Sequence, residues 1–108
     1  MGFKKVVKEI GRLNNLDKAT ISERMCKVTE EIGEFAQQLN KTTGRKILKR
    51  EDTKESIKKE ILSEGADSIQ CIISVLSDFG FTAKEITKQM KENNKNWEEK
   101  IKKKKNEK

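Results

Sequence analysis

Histidine, proline and tyrosine are absent from this chain of 108 residues, and cysteine occurs twice. Without histidine there is no Ser-His-Asp triad, no imidazole general base and no histidine-built zinc site. Cys26 and Cys71 stand far apart with no CxxC spacing. No disulfide framework is therefore expected, and the setting reads as a reducing cytoplasm. The opening Met1-Gly2-Phe3-Lys4-Lys5 leads into no long apolar run, so neither a secretory leader nor a membrane span is expected. Carboxylates, lysines and metal-bound water are the acid–base chemistry that remains.

Charge is what the chain has in quantity. Charged residues make up 40% and hydrophobic ones 32%, and mean hydropathy is −0.89. A chain this short buries only about 60–70% of its unfolded surface, so so thin an apolar supply makes a marginal core. The apolar residues are nonetheless regularly spaced, which argues against disorder. The expectation is one helical domain that gains stability from a second copy of itself. A formal charge of +7 points to an anionic partner or substrate. Much of the excess lies in residues 100–108, read as a basic helix end or tail on a domain spanning 1–99.

Helix boundaries are written in local chemistry. Thr20 with Glu23, Asp52 with Glu55, and Thr82 with Glu85 each have the spacing of an N-terminal capping box. Gly44 follows one periodic segment, and Gly80, between Phe79 and Phe81, reads as a left-handed cap. The implied helices run over 3–14, 21–42, 52–79 and 83–103. Met25, Val28, Ile32, Phe35 and Leu39 form one apolar stripe; Ile57, Ile61, Ile69, Ile72, Leu76 and Phe79 form a second. The first helix offers Phe3, Val6, Val7, Ile10 and Leu13, the last Ile86, Met90 and Trp97. No segment alternates with period two for long enough to make a strand. The fold class is all-α, a four-helix, bundle-like domain, with Gly44–Arg50 as a basic loop.

Two acidic pairs occupy matching positions on the long helices. Glu30-Glu31-Ile32-Gly33-Glu34 lies on the second and Glu64-Gly65-Ala66-Asp67 on the third. Residues three apart are neighbours on a helix, and at about 100° per residue each stripe centres roughly 80–90° from its Glu31 or Glu64. Four carboxylates then converge at the lip of the core if the stripes pack together. Like charges in a low dielectric repel, so something positive must compensate. Oxygen-only donors suit a hard cation, Mg²⁺ or Mn²⁺. A solvated acidic face is the other reading, since 14 residues are Glu. Gly33 and Gly65, inside helices, each cost about 1 kcal/mol relative to Ala, which close helix approach or room for a ligand would justify.

Glu30-Glu31-x-x-Glu34 followed by Glu64-x-x-Asp67 resembles the signature of the MazG-like, all-α nucleoside triphosphate pyrophosphohydrolases. The likeness runs through Lys27-Val28-Thr29-Glu30-Glu31-Ile32-Gly33-Glu34-Phe35-Ala36 and Glu64-Gly65-Ala66-Asp67-Ser68-Ile69, and continues weakly as Lys91…Asn94-Lys95…Trp97. It covers roughly residues 20–98. The resemblance implies cleavage of a nucleoside triphosphate, ribo- or deoxyribo-, between the α and β phosphates, giving the monophosphate and pyrophosphate. It implies Mg²⁺, with Mn²⁺ as a substitute, held by Glu31, Glu34, Glu64 and Asp67. Glu30 and Glu34 are then the candidate catalytic carboxylates, Glu30 as a water-orienting group or a plain surface residue. Lys91, Asn94 and Lys95 are candidates for phosphate or sugar oxygens, or simply a solvated helix face. Trp97 is expected to pack in a subunit interface rather than stack on a base, and Lys27 to pair with Glu31. Such proteins assemble as homodimers or homotetramers, in which a neighbouring subunit helps to complete the base pocket.

Two departures stand out. Gly65 replaces the bulkier residue of many relatives, and the 29 residues between Glu34 and Glu64 are long for the short members. Neither removes an expected ligand, so an active enzyme in nucleotide-pool house-cleaning is the expectation. The alternative is a small basic helical interaction or nucleic-acid-binding protein without catalysis. No helix-turn-helix glycine pattern or aromatic platform supports nucleic acid.

Overall fold

The computed structural model describes residues 2–106 and contains four helices and, among the described residues, no strand. They are α1 (Phe3–Asp17), α2 (Ile21–Thr42), α3 (Lys54–Asp78) and α4 (Ala83–Asn106). The all-α expectation holds. None of these helices is long and apolar enough to cross a membrane. Residues 107 and 108 of the expected basic end lie outside the described residues.

Two of the three capping boxes form. Thr20 and Glu23 exchange backbone-to-side-chain hydrogen bonds at the start of α2, as Thr82 and Glu85 do before α4. The third is displaced by one residue. Thr53 caps α3 and pairs reciprocally with Ser56. The Asp52 carboxylate instead accepts from the Lys49 backbone N–H at 2.8 Å and from Lys41 Nζ at 3.2 Å. A long-range cation at the end of α2 thus takes the oxygen that local spacing assigned to a cap. Gly44 and Gly80 adopt φ of +77° and +82°, the left-handed turns that L side chains disfavour.

α1 runs three residues beyond expectation because Asn14, poor in a helix interior, is satisfied by tertiary contacts. Its amide donates to the Ser74 carbonyl at 2.8 Å and to Asp78 at 3.1 Å. α4 also extends past residue 103, to Asn106.

α2 lies along α3, α1 packs on α3, and the α4 backbone approaches α1 alone. Val7, Ile10, Ile73, Ala83 and Ile86 make one apolar core between α1, α3 and the first turn of α4. The expected stripes pack on each other only in part. Of the α2 stripe only Val28 is buried, while Met25, Ile32 and Leu39 stay exposed; on α3, Ile57 is buried but Ile69, Ile72 and Phe79 are not. Phe3 and Leu13 on α1, and Met90 and Trp97 on α4, are likewise exposed. Trp97 finds no cover within the single chain.

Ion pairs explain the rotated seam. At one end, the buried Arg24 of α2 holds Asp78 of α3 at 2.6 Å and Asp17 of α1 at 3.2 Å, and donates to the Asn14 carbonyl. At the other, Lys41 holds Asp52. These contacts turn the Val28 edge of the apolar stripe, together with Arg24 and Glu31, toward α3.

Candidate metal centre

Arg24, Val28 and Glu31 are spaced by four and three residues, so one helical face carries all three. The face buried by the Arg24 clamp therefore buries Glu31 as well, leaving it 6% exposed. On α3 the same seam takes Ile57, half-buried Ile61 and Glu64, and buried Ser68, whose hydroxyl donates back to the Glu64 carbonyl. Phe35 lies over Gly65: a Cβ there would come within 3.2 Å of the ring. Close approach thus accounts for Gly65. Gly33 has open space around it, so close approach does not account for it.

All five sequence-selected carboxylates meet around Glu31. Carboxylate oxygens of Glu30, Glu31 and Glu34 lie within 4.8 Å of one another, and so do those of Glu31, Glu64 and Asp67. Glu31 belongs to both groups. Glu30 is exposed, whereas Glu34, Glu64 and Asp67 are half-buried.

The charge in this cluster is only partly answered. Lys27 Nζ lies 3.0 Å from Glu31 Oε1 and 3.4 Å from Glu30 Oε1. Those two partners raise the Lys27 ammonium above its ordinary range. The other Glu31 oxygen, Oε2, is buried without a hydrogen-bond partner, and so is Glu64 Oε2. Burial, and then the neighbouring carboxylate of Glu34, push the Glu64 carboxyl up to about 7. A proton is one answer to the crowding; a cation is the other.

Beside the acids opens a cavity of about 490 Å³ between α1, α2 and α3. Ile10 and Leu13 form its apolar wall, Asn14, Arg24 and Ser74 its polar floor, and Lys27 and Cys71 line it as well. Burial, and then Glu31, raise the Cys71 thiol above its ordinary range. The floor is rigid: Ser74 Oγ donates to Asn14 Oδ1, and Arg24 lies 3.5 Å from the same hydroxyl. Sequence reading missed this network, although Arg24 one turn before Val28 signalled it.

Lys91, Asn94 and Lys95 are not brought to the acids within one chain. All three are exposed on α4, whose backbone stays away from α2 and α3.

No protein-family model matches the chain, and neither a curated protein nor a solved structure matches it.

Proposed function

We propose that the chain is a Mg²⁺-dependent nucleotide pyrophosphohydrolase that converts a nucleoside triphosphate to its monophosphate and pyrophosphate. The observation that carries the reading is Glu31: a buried carboxylate with one orphaned oxygen, shared by two carboxylate triplets from two helices. A solvated acidic face needs no buried, unpartnered oxygen, because water satisfies exposed carboxylates. An all-oxygen donor set with no histidine or thiolate fits a hard cation, and Mn²⁺ fits the same donors.

Glu31, Glu34, Glu64 and Asp67 would hold the ion. When bound, Mg²⁺ supplies neutralisation of triphosphate charge and a lowered pKa for coordinated water. The chain's own residues do the rest. Glu30, at the exposed edge beside Lys27, and Glu34 would orient a water and take its proton as it attacks the α-phosphorus. Lys27 meets incoming phosphate oxygens with a positive charge. The adjoining cavity has room for a nucleoside, with Ile10 and Leu13 as its apolar wall. The basic net charge favours approach of the anionic substrate. Homodimeric or homotetrameric assembly, action within the cytoplasm and binding of substrate by Lys91, Asn94 and Lys95 belong to the same proposal.

The test is pyrophosphate release from a panel of ribo- and deoxyribonucleoside triphosphates, in Mg²⁺ and in EDTA. Monophosphate with pyrophosphate, dependent on Mg²⁺ and lost in Glu34→Gln, is the expected result. No turnover, together with no thermal stabilisation by millimolar Mg²⁺, returns the acids to a structural role. The basic interaction protein is then the better reading.

A further inference from the structure

Two cations of α2, Arg24 and Lys27, are held in different ways. The Arg24 side chain is 9% exposed and fixed by partners on other helices, Asp78 at 2.6 Å and Asp17 at 3.2 Å. The Lys27 side chain is 53% exposed, and both its partners, Glu31 Oε1 at 3.0 Å and Glu30 Oε1 at 3.4 Å, belong to its own helix. Tertiary structure locks the guanidinium. The ammonium, on a flexible four-carbon stem, is free to leave.

Local helix stability gives little reason for the Lys27 pair. A lysine four residues before a glutamate is the weaker order of such a pair, because it sets both charges against the helix dipole. What Lys27 answers is the acid cluster. Among the described residues it is the sole cation within ion-pair distance of any of Glu30, Glu31, Glu34, Glu64 and Asp67. It also lines the cavity between α1, α2 and α3. One mobile ammonium thus stands at the boundary between the acids and the space beside them.

A metal ion and this ammonium compete for Glu31. Its Oε1 carries the ammonium, and its Oε2 is buried with no hydrogen-bond partner. A Mg²⁺-sized ion lies about 2.1 Å from a ligating oxygen, hence within a few ångströms of the ammonium, and like charges that close repel strongly beside a buried group. A divalent ion arriving alone must drive the ammonium into water. An ion arriving with a polyphosphate brings anionic oxygens that accept its hydrogen bonds.

We propose that Lys27 is the resident counter-ion of the empty centre and couples its filling to substrate, opposing a divalent ion that comes alone and passing to polyphosphate oxygens when ion and polyphosphate come together. This rests on the reading of Glu31, Glu34, Glu64 and Asp67 as ion ligands, and adds how the site fills. By linkage, the same residue makes ion and phosphate binding cooperative.

The test is binding, without turnover. Loss of the free Mn²⁺ electron paramagnetic resonance signal measures Mn²⁺ alone, and calorimetry in saturating Mg²⁺ measures magnesium pyrophosphate. Lys27→Met should bind Mn²⁺ about five-fold tighter and magnesium pyrophosphate about five-fold weaker, the small end for coupled sites because a half-exposed ammonium is screened. Lys27→Arg keeps the charge and should stay near wild type for Mn²⁺. Lys59→Met, which removes an exposed α3 lysine outside the cluster, should change neither affinity. Far-UV circular dichroism verifies folding of all three. Both affinities weakened in Lys27→Met, or neither moved, overturns the coupling and leaves the ion site standing. Tighter Mn²⁺ with unchanged pyrophosphate overturns it too, leaving a counter-ion alone, and so does an equal shift in Lys59→Met, which net charge would explain. A wild type that takes up no Mn²⁺ overturns the coupling together with the ion ligands.

Discussion

The α1/α3/α4 core and the α2/α3 seam solve the same problem, holding helices together, with opposite materials. The first is Val7, Ile10, Ile73, Ala83 and Ile86, apolar throughout. The second buries Arg24, Glu31 and Ser68 beside Val28 and Ile57. Apolar burial is non-directional and tolerates exchange of one hydrocarbon for another. A seam of buried charges stabilises only when each charge is answered, and it sets register because removing one partner leaves the other stranded. The Arg24 charge is answered at one end of the seam by the carboxylates of Asp78 and Asp17, while Glu31 and Glu64 each keep an oxygen without a hydrogen-bond partner in its middle. That contrast separates a structural part of the seam from one that has something left to bind.

The contrast is sharpest under Arg24→Met. Asp78 and the Asn14 carbonyl lose their buried partner, and the expected loss is about 3 kcal/mol in urea unfolding. Ile73→Val, in the apolar core, should cost about 1 kcal/mol in the same assay. Near-equal losses from the two variants would erase the distinction between the regions.

Glu31→Gln should act in the opposite direction in EDTA. It removes a crowded charge, so the thermal midpoint rises slightly, while stabilisation by Mg²⁺ disappears. An unchanged Mg²⁺ response would remove Glu31 from any metal site. The pH dependence of the metal-free protein tests the same crowding. Glu64 holds its proton up to about 7 when folded, against an ordinary carboxyl value of 4.5. The native state therefore binds a proton that the unfolded chain releases. This contribution is fully present below about pH 4.5 and is lost as pH rises through about 7. In EDTA the thermal midpoint should fall between about pH 5 and about pH 8, and fall less in Glu64→Gln.

The smallest effect is expected at Gly65→Ala. Helix propensity favours alanine by about 1 kcal/mol, but the new Cβ meets the Phe35 ring at 3.2 Å. Phe35 is half-buried and can yield by a few tenths of an ångström. A net gain below about 1 kcal/mol should appear in thermal unfolding. A clear loss would show that the ring is held fast.

Local chemistry was legible at three of the helix ends. Thr20 and Glu23, Thr82 and Glu85, and the αL turn at Gly80 depend on residues three or four apart, and each forms as read. Asp52 failed as a cap because its carboxylate is taken by the Lys49 backbone N–H within the loop and by Lys41, eleven residues away on another helix. The apolar stripes were misread for a related reason. Periodicity reports which residues prefer to leave water, without saying whether the same chain or another one covers them.

By itself the sequence determined four helices and two carboxylate pairs, because helical pitch places Glu31 with Glu34 and Glu64 with Asp67 whatever the tertiary packing. Only the tertiary structure decided which face of α2 meets α3 and where α4 points. Arg24 with Asp78, and Lys41 with Asp52, are pairs between helices whose strength depends on mutual burial, and burial exists only once the helices have met.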